Sequence, residues 1–138
     1  MSNYKVTVVH YGHPALKGAW HYALALYNQP ASPTAATIFQ LTRAEGARNF
    51  EFTAPTINVP SHASAYQGEL PIGQIPATDA AVQHFGLICK LVNIQNETPA
   101  WNCQNWVAEV LQEMAKVGLE IRAYEHNALV AAMNAIRK

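Results

Sequence analysis

Charged residues are scarce in this chain of 138 residues. They make up 13% of it, and nine lysines and arginines balance nine aspartates and glutamates. Proteins that bind nucleic acid or an anionic membrane surface usually carry a basic excess, and this chain has none. We therefore expect no nucleic-acid partner.

Long apolar runs are also missing. No run approaches the roughly 20 residues that cross a bilayer as a helix, and residues 1–5 lack the charged-then-apolar order of a signal peptide. The chain has only two cysteines, Cys89 and Cys103. They could pair, but a chain without a targeting signal is typical of a reducing compartment, where disulfides are rare. We expect a cytoplasmic protein with free thiols and no membrane anchor.

Glycine-rich phosphate loops, internal repeats and carboxylate pairs at catalytic spacing are absent, so the sequence predicts no cofactor. Half of the residues are apolar, and a chain of this length is large enough to bury one core. We predict a single domain over residues 1–138. The oligomeric state stays open.

Hydrophobic periodicity predicts an α+β fold, because alternating runs indicate strands and spacings of three and four indicate helices. The sequence predicts a small antiparallel sheet packed against a helix that begins at Cys103, plus two further helices. Residues 10–14 are expected to break the first strand, residues 54–68 to form a long irregular loop, and Pro71 to suit an edge strand. The predicted strands are Tyr4–Val9, Trp20–Tyr27, Thr37–Thr42, Asn49–Thr53 and Leu70–Ile75, and the predicted helices are Ala80–Val92, Cys103 to Gly118 and Tyr124–Arg137.

Cys103 is the first candidate for chemistry. Asn102 is a suitable N-cap, and the residues that follow are spaced for one buried helix face: Val107, Val110, Met114 and Val117. In the first turn, free N–H groups and the helix dipole would lower the pKa of the thiol and could hold an oxyanion. The alternative is an ordinary core cysteine, the role that we assign to Cys89.

His21 and Gln40 are the candidate partners of Cys103. Strand alternation puts His21 on one face with Ala23 and Ala25, which leaves room for the Cys103 helix to approach. Gln40 could orient the imidazole or donate to an oxyanion. A hydrogen-bonded core histidine and a solvent-facing glutamine are the alternatives.

His10 and His13 have the spacing of a metal pair, and Cys103 could supply a third ligand. Structural zinc usually takes four well-spaced ligands, and the polarity of a loop explains both histidines. We therefore predict no metal site.

Two short motifs carry a family resemblance, His21-Tyr22-Ala23-Leu24 early in the chain and Asn102-Cys103-Gln104-Asn105-Trp106-Val107 late in it. The order, histidine before cysteine, resembles the circularly permuted papain-like cysteine enzymes. These include the lecithin:retinol acyltransferase family, with its His-Trp-Ala and Asn-Cys-Glu-His-Phe-Val motifs, the related NlpC-type peptidases and the PPPDE isopeptidases. The helix start is also similar to that of small fungal proteins of uncharacterised function, which share Asn-Cys-Gln-x-Trp-Val. The resemblance covers residues 19–118.

The resemblance implies a permuted papain-like fold and a hydrolase or acyltransferase that forms an acyl-enzyme on Cys103, with His21 as its base. Peptidases, isopeptidases and thioesterases of this kind act on an amide, ester or thioester, so the expected substrate is a small molecule, an acyl compound or a peptide. The expected substrate contacts are Trp101, Tyr22, Asn102 and Gln104.

One position departs from the acyltransferase pattern. Gln40 stands where that family has a second histidine, and a neutral amide can orient His21 but cannot carry a positive charge. This departure keeps open a catalytically inactive binding or interaction module on the same scaffold.

Overall fold

The computed structural model describes residues 3–11, 21–29, 34–42, 50–57, 60–62, 66–95 and 103–136. Within these ranges the chain forms an antiparallel sheet and three α-helices, so the predicted α+β class is confirmed. The strands are β1 (Asn3–Tyr11), β2 (His21–Tyr27), β3 (Ala36–Thr42), β4 (Glu51–Thr53), β5 (Thr56–Ile57) and β6 (Tyr66–Pro76). The helices are α1 (Asp79–Leu91), α2 (Cys103–Lys116) and α3 (His126–Ile136).

The sheet has the strand order β4-β3-β2-β1-β6, and β5 pairs with β3. Strands β1, β2 and β3 each pair antiparallel with the next strand along the chain, as hairpins do. Strand β6 returns to pair with β1 and lies at one end of this order. The edge position predicted for Pro71 is confirmed, and it suits a residue without an N–H donor.

Side-chain alternation along β2 gives the sheet two different faces. The helix-covered face carries Tyr22, Leu24 and Leu26, which share one apolar core with α2 residues such as Trp106. The alanine face carries Ala23 and Ala25, which belong to a second, smaller cluster with Val9, Ala36 and Ile38.

The expectation that the Cys103 helix would pack on the alanine face is wrong. Helix α2 packs on the helix-covered face, where Phe39 and Leu41 of β3 join the large side chains of β2. Large apolar side chains bury more surface than alanine does, and each Å² of buried apolar surface stabilises the fold by about 25 cal/mol. The helix is therefore held where burial is greatest.

Helix α1 begins as predicted. The Thr78 hydroxyl accepts a hydrogen bond from the backbone N–H of Ala81 at 3.1 Å, which caps the first turn. Cys89 is 1% exposed, so its assignment to the core is confirmed.

Helix α2 ends close to the predicted point. Gly118 has a φ of +86°, the left-handed conformation that commonly ends a helix. Val117 was predicted to belong to the buried stripe, and this is wrong, because it lies beyond the last helical residue and is 53% exposed.

The region from residue 54 to 68 contains more regular structure than predicted. It includes β5, a 3₁₀ turn at Pro60–His62 and the start of β6 at Tyr66. Strand β6 shifts register opposite His10 and Tyr11, and Gly68 there has a φ of +136°. A bulge with glycine interrupts the alternation by which a strand is recognised in sequence.

In the part of the chain that the structure describes, no helix is both long and apolar enough to cross a membrane.

Candidate active site

Cys103 is the first residue of α2, and its side chain is 7% exposed. Burial raises the pKa of the Cys103 thiol above its ordinary value, while hydrogen bonds from the backbone of Tyr22, Cys103 and Gln104 lower it less. The lowered thiol pKa predicted from the sequence is therefore wrong. The predicted N–H groups are present, but the cost of burying the thiolate exceeds their effect.

The backbone groups around the sulfur come from two elements. Cys103 and Gln104 are the first two residues of α2, whose N–H groups have no partner within the helix. Tyr22 belongs to β2 and directly follows His21. The sulfur therefore lies between the N-terminus of α2 and the beginning of β2, one residue along the chain from the candidate base.

His21 is oriented by Gln40. The two atoms His21 Nε2 and Gln40 Oε1 are 2.9 Å apart. A carbonyl oxygen only accepts hydrogen bonds, so Nε2 carries the proton and Nδ1 keeps a free lone pair. The hydrogen bond expected from the sequence is present, and the catalytic role of Gln40 remains a prediction.

Burial lowers the pKa of His21, and the hydrogen bond that Nε2 donates to Gln40 raises this pKa by a smaller amount. Since burial also raises the pKa of the Cys103 thiol, both groups favour their uncharged forms near neutral pH. The structure favours a neutral thiol and a neutral imidazole.

Tyr11 is a neighbour of His21 that sequence reasoning missed. It pairs with His21 across β1 and β2, and the two rings stack with centroids 5.9 Å apart and planes at 26°. The sequence interpretation assigned residues 10–14 to a break, whereas β1 runs through Tyr11. Continuing the alternation of β1 by two residues would have found this contact.

A polar network lies on the same face of the sheet as His21. Glu69 accepts hydrogen bonds from Thr7 Oγ1 at 2.6 Å, Tyr27 Oη at 2.6 Å and Tyr66 Oη at 3.2 Å. We call these four residues the Glu69 cluster. Sequence reasoning missed it, because Thr7 and Glu69 are separated by 62 positions and only the pairing of β1 with β6 brings them together.

Two predicted substrate contacts are buried. Tyr22 is 1% exposed and meets His10 edge to face, with centroids 5.2 Å apart, so its ring is part of the core, and its backbone forms a hydrogen bond with the sulfur. Gln104 is 9% exposed in the first turn of α2. Trp101 and Asn102, the proposed N-cap, lie outside the described residues.

The candidate metal ligands do not form a described site. His10 was expected in a polar loop, and this is wrong, because it is fully buried in β1. His13 lies outside the described residues. Among those that are described, no group of three or more histidine, cysteine, aspartate or glutamate residues could hold a metal ion.

Comparison with known proteins gives no match to a family model, a curated protein or a solved structure. The function is therefore argued from the residues of this chain.

Proposed function

We propose that the protein is a cysteine-nucleophile hydrolase or acyltransferase with a permuted papain-like arrangement, acting on an amide, ester or thioester. One observation carries the proposal. The sulfur of Cys103 lies at the N-terminus of α2 and accepts a hydrogen bond from Tyr22, the residue after His21, while Gln40 orients the His21 ring. The backbone of β2 thus contacts the thiol one residue away from the imidazole, and β3 supplies the amide that orients the ring.

The first half-reaction forms the acyl-enzyme. His21 Nδ1 takes the thiol proton as Cys103 Sγ attacks the carbonyl carbon, and the carbonyl electron pair moves to oxygen. The backbone N–H of Cys103, at the positive end of the helix dipole, stabilises that oxyanion. The oxyanion then collapses, the bond to the leaving group breaks, and the His21 imidazolium protonates the departing nitrogen, oxygen or sulfur.

The second half-reaction releases the acyl group. Water or an amine attacks the thioester carbonyl while His21 accepts its proton. The C–S bond then breaks, and the His21 imidazolium returns the proton to the departing sulfur, which regenerates the thiol of Cys103. Water gives hydrolysis and an amine gives transfer.

The neutral resting pair makes His21 a general base. Because burial holds the thiol protonated and the imidazole uncharged, proton transfer accompanies attack instead of preceding it. A hydrogen bond from Nε2 to the neutral Gln40 amide holds the ring through both half-reactions. An amide at this position adds no positive charge beside the imidazolium that forms.

Trapping of the acyl-enzyme tests the proposal. We expect 4-nitrophenyl acetate to release a burst of nitrophenol and to add one acetyl group to the protein, detected by intact mass and mapped to Cys103. Cys103→Ala should abolish both signals, and Cys89→Ala, at a cysteine buried in the core, should keep both. The proposal would be contradicted by acetylation that survives in Cys103→Ala or by a burst unchanged in His21→Ala.

A binding or interaction module without catalysis is the second candidate. The low exposure of Cys103 and the raised pKa of its thiol favour it, as does Gln40 in place of a second histidine. In this case Cys103 would stay unacetylated in the folded protein and react only after unfolding.

A further inference from the structure

Within the described ranges, the Glu69 carboxylate has hydroxyl donors and no cationic partner. Three hydroxyl groups donate to it, and among the described residues it forms no salt bridge. Neutral donors stabilise a carboxylate without cancelling its charge. The negative charge of this site is therefore available to a ligand.

The two carboxylate oxygens are used unequally. Oε2 accepts two short hydrogen bonds, from Thr7 and Tyr27, both at 2.6 Å. Oε1 accepts one longer bond from Tyr66 at 3.2 Å. A carboxylate oxygen has two acceptor sites, so Oε1 has the greater remaining capacity, and it faces the end of the cluster where Tyr66 lies.

Two tyrosines, Tyr66 and Tyr11, lie at this end. Tyr11 pairs with Tyr66 across β1 and β6, and both side chains are partly exposed. Burial, and to a smaller extent the charge of Glu69, raises the pKa of each of these tyrosines to about 12. Both tyrosines therefore stay neutral up to alkaline pH, and neutral phenol rings are electron-rich.

The same face already attracts a cation at its other end. Lys5 Nζ lies 4.4 Å from the centroid of the Tyr27 ring, which is within cation–π range. Lys5 and Tyr27 are opposite each other at the far end of the β1–β2 ladder from Tyr11 and His21. The Tyr11–Tyr66 end offers similar rings together with the less occupied carboxylate oxygen.

We propose that Glu69, Tyr11 and Tyr66 form a binding site for a primary alkylammonium group. Such a group has three N–H donors, one for Oε1 and others directed at the two rings. A guanidinium ion would need both carboxylate oxygens for its paired donors, and Oε2 already accepts two short bonds. A quaternary ammonium ion has no donor for the carboxylate.

Binding of n-butylammonium chloride tests this inference. The titration is followed by NMR of ring-labelled tyrosines in the Cys103→Ala protein at constant ionic strength, with 1-butanol as the neutral analogue. We expect saturable shifts at Tyr11 and Tyr66 with butylammonium and none with butanol. Using Cys103→Ala separates this binding from the proposed cysteine chemistry, so either can fail alone.

Two variants identify the binding groups. Glu69→Gln should weaken binding at least about tenfold, because the charged acceptor is lost. Tyr11→Leu should weaken it about fivefold through loss of one ring face. The matched control is Glu120→Gln, which removes an exposed carboxylate that accepts a hydrogen bond from Gln74.

Equal affinity of Glu69→Gln and the parent protein would overturn the inference, and so would saturable binding of butanol at the same rings. If Glu69→Gln fails to fold, an unchanged affinity in Tyr11→Leu would be enough to overturn the inference. A loss of affinity in Glu120→Gln equal to that in Glu69→Gln would also count against it, since that result would indicate general charge attraction.

Discussion

The two faces of the sheet differ in what their side chains do. The helix-covered face carries large apolar residues from β2 and β3 that pack against Trp106 and its neighbours in α2. The alanine face carries small residues, and around them lie His21, Gln40 and the Glu69 cluster. One face therefore stabilises the fold, and the other collects the polar groups.

Cys103 joins these two regions. Its side chain belongs to the core on the helix-covered face, yet its sulfur accepts a hydrogen bond from Tyr22, the residue that follows His21. His21 itself stacks on Tyr11, a residue packed against the alanine-face cluster. The proposed reaction depends on the contact between Cys103 and the Tyr22 backbone at the end of β2, where the two regions meet.

The largest expected effect comes from the helix-covered face. Trp106 is fully buried, so Trp106→Ala should lower the free energy of unfolding by about 3–5 kcal/mol through lost burial and a new cavity. Urea unfolding measures the change. Trp106→Phe should cost much less, since it keeps most of the apolar volume and removes an indole N–H that has no partner among the described residues. An equal loss in both variants would contradict this account of the core.

The alanine face should be destabilised most by larger side chains, which would overpack it. Ala25 is fully buried between Thr7 and Ile38, so Ala25→Leu should lower the free energy of unfolding by about 1–3 kcal/mol. The matched control, Ala115→Leu at an exposed position of α2, should change it little. If Ala25→Leu proved as stable as the control, the alanine face would not be closely packed.

The smallest expected effect is a pH dependence from His21. Its pKa in the folded protein lies below the ordinary 6.5 because of burial, so the unfolded chain binds the proton more readily. The contribution of His21 to stability is present above pH 6.5 and is lost as the pH falls below that value. In His21→Gln, the free energy of unfolding should therefore depend less on pH in this acidic range.

A control and a contrary outcome accompany this prediction. His84→Gln, at an exposed position on α1, should retain the pH dependence of the parent protein. A pH profile of His21→Gln that is identical to that of the parent would contradict the assigned effect of burial on His21.

Local patterns predicted much of the fold. The alternation of β2 and β3, the Thr78 cap, the helix start at Cys103 and the turn at Gly118 all depend on neighbours in sequence, and all are present. The bulged strand β6 was predicted too short because two register shifts break its period.

The site was predicted only in part for a related physical reason. Gln40 was a candidate partner of His21, and the two side chains do meet, because alternation defines faces within strands. Alternation does not say which face a helix will cover, and so α2 was predicted on the wrong one. Glu69 meets Thr7 only through the pairing of strands 62 positions apart. The Tyr11 contact was missed because the end of β1 was predicted too early, and the thiol pKa depends on burial, which a helix-start motif does not reveal.

The most direct test of the central claim is the rate at which iodoacetamide alkylates Cys103 in the folded protein, followed by peptide mass spectrometry as a function of pH. We expect Cys103 to react before Cys89, with a rate that rises with pH because its thiol pKa is raised by burial and that falls at least about tenfold in His21→Ala. An unchanged rate in His21→Ala, or reaction of Cys103 only after unfolding, would contradict the claim that His21 acts on this sulfur.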